Sequence, residues 1–280
     1  MDLKARLNQH LAEIVRDRHP YFGSEGHFYV QQYLSQQFRQ WGNLETHEFD
    51  FEGNEHINYI LNIAPANASS NPPILLAAHY DGVPGTPGAD DNATGVAVLL
   101  ELMREFSENP PSVPLRFVAF DLEEYGMVGS QAYVEELKEK KEKIRLMFSL
   151  EMLGYCCHEP DSQEYPPGLE KLYPNTGNYI AFISNLRTMT DARFFSRQMQ
   201  KSGTPSEWLS VPFSGKNLSA TRLSDHSPFW DQGYKAIMVT DTSFMRNPHY
   251  HQPSDTIDTL DLDFLTGVCE GLMTGLRNWK

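Results

Sequence analysis

The chain has 280 residues, 40% of them hydrophobic and 12% aromatic, with a formal net charge of −14. That is enough apolar chain for one large folded domain, expected to span 1–280, and it excludes a disordered protein. The acidic balance argues against nucleic acid and anionic membrane as partners, and no apolar run is long enough to span a bilayer. Cys156, Cys157 and Cys269 have neither zinc-knuckle nor redox spacing. With an amino-terminal segment that lacks the apolar core of a signal peptide, they point to a reducing, cytoplasmic setting.

Residues 3–17 read as an amphipathic helix with Leu7, Leu11 and Ile14 on one face. A second helix is expected from Ser24 as N-cap, through Val30, Leu34, Phe38 and Trp41, to Gly42. Residues 44–52 and 57–64 read as a hairpin around Glu52-Gly53-Asn54. Ile74–Ala78, Arg116–Phe120 and Ile144–Leu150 are continuous apolar runs, the mark of strands covered on both faces. Helical segments separate them. One begins at Asn92 or Thr94 and runs through Val96, Leu100 and Met103; the next starts within Gly126–Val134. Tyr155–Asn178 has no period and reads as a long substrate-facing loop. Tyr179–Ser184 is a strand and Thr190–Ser202 a helix. Pro205–Leu223 is mostly irregular, Ala236–Thr240 is a last strand, and Asp263–Trp279 is a closing helix.

This alternation predicts βαβ units, in which parallel strands end on one edge of the sheet. His79, the Glu123-Glu124 pair and Glu151 stand at three such ends, with Asp81 and the Asp90-Asp91 pair just beyond the first. So many carboxylates at one edge call for a counter-charge, and a divalent metal is the simplest. Imidazole and carboxylate donors without thiolate suit zinc in a hydrolytic role. The candidate donors are His79, Asp90, Glu124, Glu151 and His251. If one carboxylate is shared, they divide between two ions, whose charge three carboxylates and a hydroxide would cancel. One glutamate of the 123–124 pair is then left as general base, and Asp81 is placed to hold His79. Spacing alone does not choose between His249 and His251, and it leaves Ser224, Asp225 and His226 open between substrate and structural roles.

The ordered motifs HYD, GADDNATG, EEYGMVGS, LEMLG, SDHSPF and HYHQPSDT, within residues 74–256, resemble the co-catalytic di-zinc aminopeptidase family. Bacterial leucyl aminopeptidases belong to it, and glutaminyl cyclases are relatives. The resemblance implies a three-layer α/β/α sandwich around a mixed, mostly parallel sheet. It implies that Asp90 bridges two zinc ions, with Glu124 and His251 on one and His79 and Glu151 on the other. It also makes Glu123 the general base and Asp81 the partner of His79, and puts a cis peptide between Asp90 and Asp91. Many relatives carry Asp where Glu151 stands, so the reach of that donor differs here.

The expected activity is a zinc-dependent removal of the N-terminal residue from peptides. Three rivals remain. A glutaminyl cyclase would use one zinc. A carboxypeptidase or deacylase would need a cation such as Arg187, Arg193 or Arg222 for a terminal carboxylate. A non-catalytic binding domain would have lost ligands.

Overall fold

The computed structural model describes residues 1–279. Two helices open the chain, α1 (Leu3–Ile14) and α2 (Ser24–Trp41), followed by the hairpin β1 (Leu44–Phe51) and β2 (Asn54–Ile63). Gly23 takes the N-cap position of α2 without a side-chain cap, so Ser24 is its first residue instead. Then come β3 (Ile74–His79), α3 (Gly95–Glu108), β4 (Leu115–Phe120), α4 (Val128–Glu139) and β5 (Leu146–Glu151). The second half holds β6 (Ile180–Asn185), α5 (Met189–Lys201), β7 (Ser206–Val211), α6 (His226–Asp231), β8 (Ala236–Thr240) and α7 (Leu262–Asn278).

The eight strands form one sheet in the order β1-β2-β4-β3-β5-β8-β6-β7. From β4 through β3 and β5 to β8 the strands are parallel, so their carboxyl ends share an edge. β6 pairs antiparallel with β8, and β7 runs parallel to β6. That reversal brings the first residues of β6 and β7 to the edge where the others finish. Every residue of β3, β5 and β6 is buried, as the apolar runs predict for strands covered on both faces. One face packs against Leu7 and Leu11 of α1, Val30 and Phe38 of α2, α3, Phe195 of α5 and Leu272 of α7. The other packs against Tyr133 and Leu137 of α4 and Phe229 and Trp230 of α6. These are the three layers of the expected α/β/α sandwich around a mixed, mostly parallel sheet. No helix among the described residues is long and apolar enough to cross a membrane.

The segment expected to be irregular, 205–223, contains a regular strand, β7. Its sequence, SEWLSV, lacks the continuous apolar run of the inner strands because β7 closes the sheet and has only one neighbour.

Candidate metal centre

His79 is the last residue of β3, and its ring is fully enclosed. Its Nε2 lies 3.4 Å from Asp91 Oδ1 and 3.6 Å from Glu151 Oε2, at the end of the neighbouring β5. Across Asp91, His251 Nε2 lies 3.0 Å from Oδ2 and 3.4 Å from Glu124 Oε2. Two donor nests therefore meet at one carboxylate: His79, Asp91 and Glu151, then Asp91, Glu124 and His251. Within each, the donor atoms lie within 4.8 Å of one another. His249 turns away and pairs through Nδ1 with Ser254 Oγ at 2.9 Å.

The shared residue is Asp91, not the expected Asp90. Asp90 is wholly buried and points the other way. Its Oδ1 accepts from Gly154 N at 2.8 Å and its Oδ2 from Asn247 Nδ2 at 2.8 Å. Asp241 packs beside it, its pKa held well above the usual carboxylate range by burial and by the charge of Asp90. Adjacent side chains leave a tight bend in opposite directions, and a doubled aspartate does not say which one faces inward. The cis peptide likewise lies one bond later than expected, between Asp91 and Asn92. Thr94 takes the N-cap position of α3 without a side-chain cap, and Asn92 supplies the acceptor instead, its Oδ1 accepting from Gly95 N at 3.1 Å.

The electrostatics of the nests are those of a site built around positive charge. Burial would lower His79, but Glu151 and Glu123 outweigh it and hold the ring well above its ordinary pKa. Burial and the charge of Asp91 push Glu124 up to about 7. Glu123 is raised well above its ordinary value, by burial and by Glu151 and Glu124, against the pull of His79. Burial also raises Glu151. Both His79 nitrogens and Glu124 Oε1 are buried without a hydrogen-bond partner among the described residues. Such groups are costly to leave unmatched. A divalent cation in each nest would give His79 Nε2 and the Glu124 carboxylate a partner and would favour the ionised form of Glu124 and Glu151, so the residues present fit a metal.

Supporting groups hold this arrangement from behind. Asp81 accepts from Glu123 N at 3.0 Å and Glu124 N at 3.1 Å, fixing the backbone of the acidic pair. It also lies 3.3 Å from His79 Nδ1, but out of hydrogen-bond alignment. Asp255 accepts from Asp90 N and Asp91 N at 2.9 and 3.1 Å, so it holds the loop rather than an imidazole. Ser224 Oγ donates to Glu151 Oε2 at 2.7 Å. Asp225 is buried beside the nests with neither oxygen hydrogen-bonded, and burial pushes it to about 7. His226 is structural: Nε2 donates to the Thr221 carbonyl at 2.9 Å, and the ring meets Trp230 edge-on.

Sequence reading misses Arg18. Its guanidinium is buried and donates to the carbonyls of Tyr80, Pro87, Gly88 and Asp91 at 2.7–3.0 Å. Gly88 has φ +62, and a Cβ there would stand 2.7 Å from the Arg18 Nη1, so the loop can approach the clamp only with glycine at this position. Nothing local in RDRHP marks the role, because all four acceptors are backbone atoms more than 60 residues away.

The nests open into a cavity of about 250 Å³. Glu123 lines it beside Asp91, Glu124 and Glu151. Further out, Tyr165, Leu169 and Tyr173 of the 155–178 loop form part of its wall. The three arginines considered for a terminal carboxylate are elsewhere. Arg187 and Arg193 are on the surface, and Arg222 pairs with Asp231. Among the described residues, no lysine or arginine lines the cavity.

A three-layer sandwich with imidazole and carboxylate donors gathered at one strand edge has the architecture of the zinc exopeptidases. Residues 58–273 match the sequence pattern of peptidase family M28. The chain belongs to that family, which makes it a peptidase. It is 33% identical over 266 residues to YfbL, an uncharacterised protein of Escherichia coli, covering 89% of this chain and 79% of that one. Further curated relatives, all named as aminopeptidases or probable aminopeptidases, are longer, and this chain spans 40% to 56% of their length. The structure of the LapA aminopeptidase of Legionella pneumophila superposes with a TM-score of 0.75 at 17% identity, over 99% of this chain and 73% of that one. A glutaminyl cyclase of Bacteroides thetaiotaomicron superposes with a TM-score of 0.71 at 18% identity, over 99% and 97%. At these identities the superpositions show a shared fold.

Proposed function

We propose that the protein is a zinc aminopeptidase that removes the N-terminal residue of peptides using two metal ions. The observation that carries this reading is the pair of donor nests sharing Asp91 at the mouth of a cavity. His79, Asp91 and Glu151 would hold one ion, and Asp91, Glu124 and His251 the other. When bound, two such ions polarise the scissile carbonyl and make water acidic enough to attack near neutral pH.

The chain's own residues supply the proton transfers. Glu123 lines the same cavity but belongs to neither nest. It takes a proton from the attacking water and returns it to the departing amine nitrogen. Asp81 fixes Glu123 through its backbone N–H. Carboxylates around the nests favour a free α-ammonium over a terminal carboxylate, and a cavity lining without lysine or arginine among the described residues speaks against the carboxypeptidase reading.

The test is one peptide with N-terminal glutamine, incubated with and without chelator, its products weighed by mass spectrometry. Chelator-sensitive loss of the whole first residue is the expected result. Loss of ammonia alone would make the protein a cyclase, and loss from the carboxyl terminus would make it a carboxypeptidase.

A further inference from the structure

The floor of the cavity is a straight row of side chains across the sheet. Glu151 on β5 pairs with Thr240 on β8, Thr240 with Ala181 on β6, and Ala181 with Glu207 on β7. Residues paired directly across strands point to the same face, and all four line the cavity. The next row, Met238, Ile183 and Leu209, lines it too. The donor nests thus lie at one end of a trough and a single glutamate at the other, with the short side chains of Thr240 and Ala181 between.

Among the described residues, Glu207 is the only charged one of the cavity lining outside the nests and Glu123. It is half-buried, and burial raises its pKa with no cation opposing the shift. Among the described residues it makes no hydrogen bond or ion pair. Tyr165, Tyr173 and Tyr179 surround it, and its charge acts on all three. Their hydroxyls are committed elsewhere. Tyr165 and Tyr179 bond to each other at 2.7 Å, and Tyr173 donates to the Trp208 carbonyl at 3.0 Å. The ring faces are occupied as well, Tyr165 stacking on Tyr173 and the Arg246 guanidinium lying over Tyr179. A half-buried carboxylate without a partner in a cavity wall is a site for a cation that can bond to it directly.

We propose that Glu207 makes this end of the trough a subsite for a basic side chain, so that the favoured N-terminal residue is arginine or lysine. The proposal rests on the aminopeptidase reading and names its substrate class. Three strand spacings separate the Glu151 and Glu207 backbones, about 14 Å. An extended arginine or lysine side chain of about 6–7 Å crosses most of the distance left by the two glutamate side chains. A leucine side chain ends over Thr240 and Ala181, short of the carboxylate.

The test compares Arg-Ala-Ala with citrulline-Ala-Ala, which has nearly the same shape without the charge, on the metal-loaded wild-type protein and on Glu207→Gln. The wild type should favour arginine by about tenfold to a hundredfold in kcat/KM, the range expected of a charged hydrogen bond, and Glu207→Gln should bring the ratio near one. A wild-type ratio near one, or a ratio the substitution leaves unchanged, overturns the proposal. Thermal shift with arginine amide and citrulline amide reads the same subsite without turnover. An arginine-specific shift lost in Glu207→Gln, with no peptide cleaved, would keep the cation subsite and discard the aminopeptidase reading. No arginine-specific shift would discard the subsite.

Discussion

Replacing Arg18 with methionine removes the guanidinium and keeps most of the side-chain volume. The four loop carbonyls it serves, of Tyr80, Pro87, Gly88 and Asp91, lie where water has little access, since Arg18 itself is fully buried. At about 1 kcal/mol for each bond lost, the substitution costs about 4 kcal/mol. That is a large part of the 5–15 kcal/mol by which domains are typically stable. With a urea dependence of about 3 kcal/mol/M, suited to a chain of this size, the unfolding midpoint falls by about 1.3 M. Arg18→Lys, which keeps the charge but reaches fewer carbonyls, should fall between the two. Because Asp91 is held through its own carbonyl, Arg18→Met should also weaken metal uptake, measured by equilibrium dialysis. A midpoint within about 0.3 M of wild type, a change under about 1 kcal/mol, would show that the clamp does not hold the loop.

Glu123→Gln should leave the fold and metal content intact and lower kcat by about a hundredfold to ten-thousandfold, the range for loss of a general base; turnover near wild type removes Glu123 from the chemistry. Asp91→Asn should reduce the zinc retained in both nests, while Asp90→Asn should destabilise the loop without emptying either selectively, and metal stoichiometry with a melting curve separates the two. His226 contributes a definite pH dependence. Its pKa is lowered to about 4 by burial, against about 6.5 in the unfolded chain, so between these values the unfolded chain binds a proton that the folded chain does not. The contribution is complete above pH 6.5 and is lost as pH falls toward 4, by about 3 kcal/mol. His226→Gln should flatten that part of the stability curve, and an unchanged curve would show that His226 does not cause it.

What the sequence discloses depends on whether a role is written in local pattern. The apolar runs of β3, β4 and β5 are legible because both faces are buried; β3 and β5 end in His79 and Glu151, the Glu123-Glu124 pair follows β4 by a few residues, and the parallel arrangement brings all of them to one edge. β7 is not legible: it pairs on one side only, and Glu207 and Leu209 face a cavity rather than a core. The choice between Asp90 and Asp91 depends on how the chain turns at a single bend. Arg18 is invisible because it recognises backbone, and backbone carries no sequence signature. Ser224, open in the sequence, acquires its role only where the turn before α6 brings its hydroxyl to Glu151.

The reversal of direction between β8 and β6 divides labour along the chain. The donor nests come from β3, β5 and the loops around them and β4, together with the turn carrying His251. The far wall of the cavity comes from a separate stretch, the 155–178 loop and the opening residues of β6 and β7. The two regions meet along the backbone hydrogen bonds between β8 and β6 and through side-chain bonds from Gln163 to Thr242 and Arg246, so a wall that keeps the strand pairing and Gln163 leaves the nests in place. Exchanging the wall would therefore retune which peptides enter while leaving the chemistry in place. In such a scaffold, substrate choice can diversify through one contiguous segment of the gene.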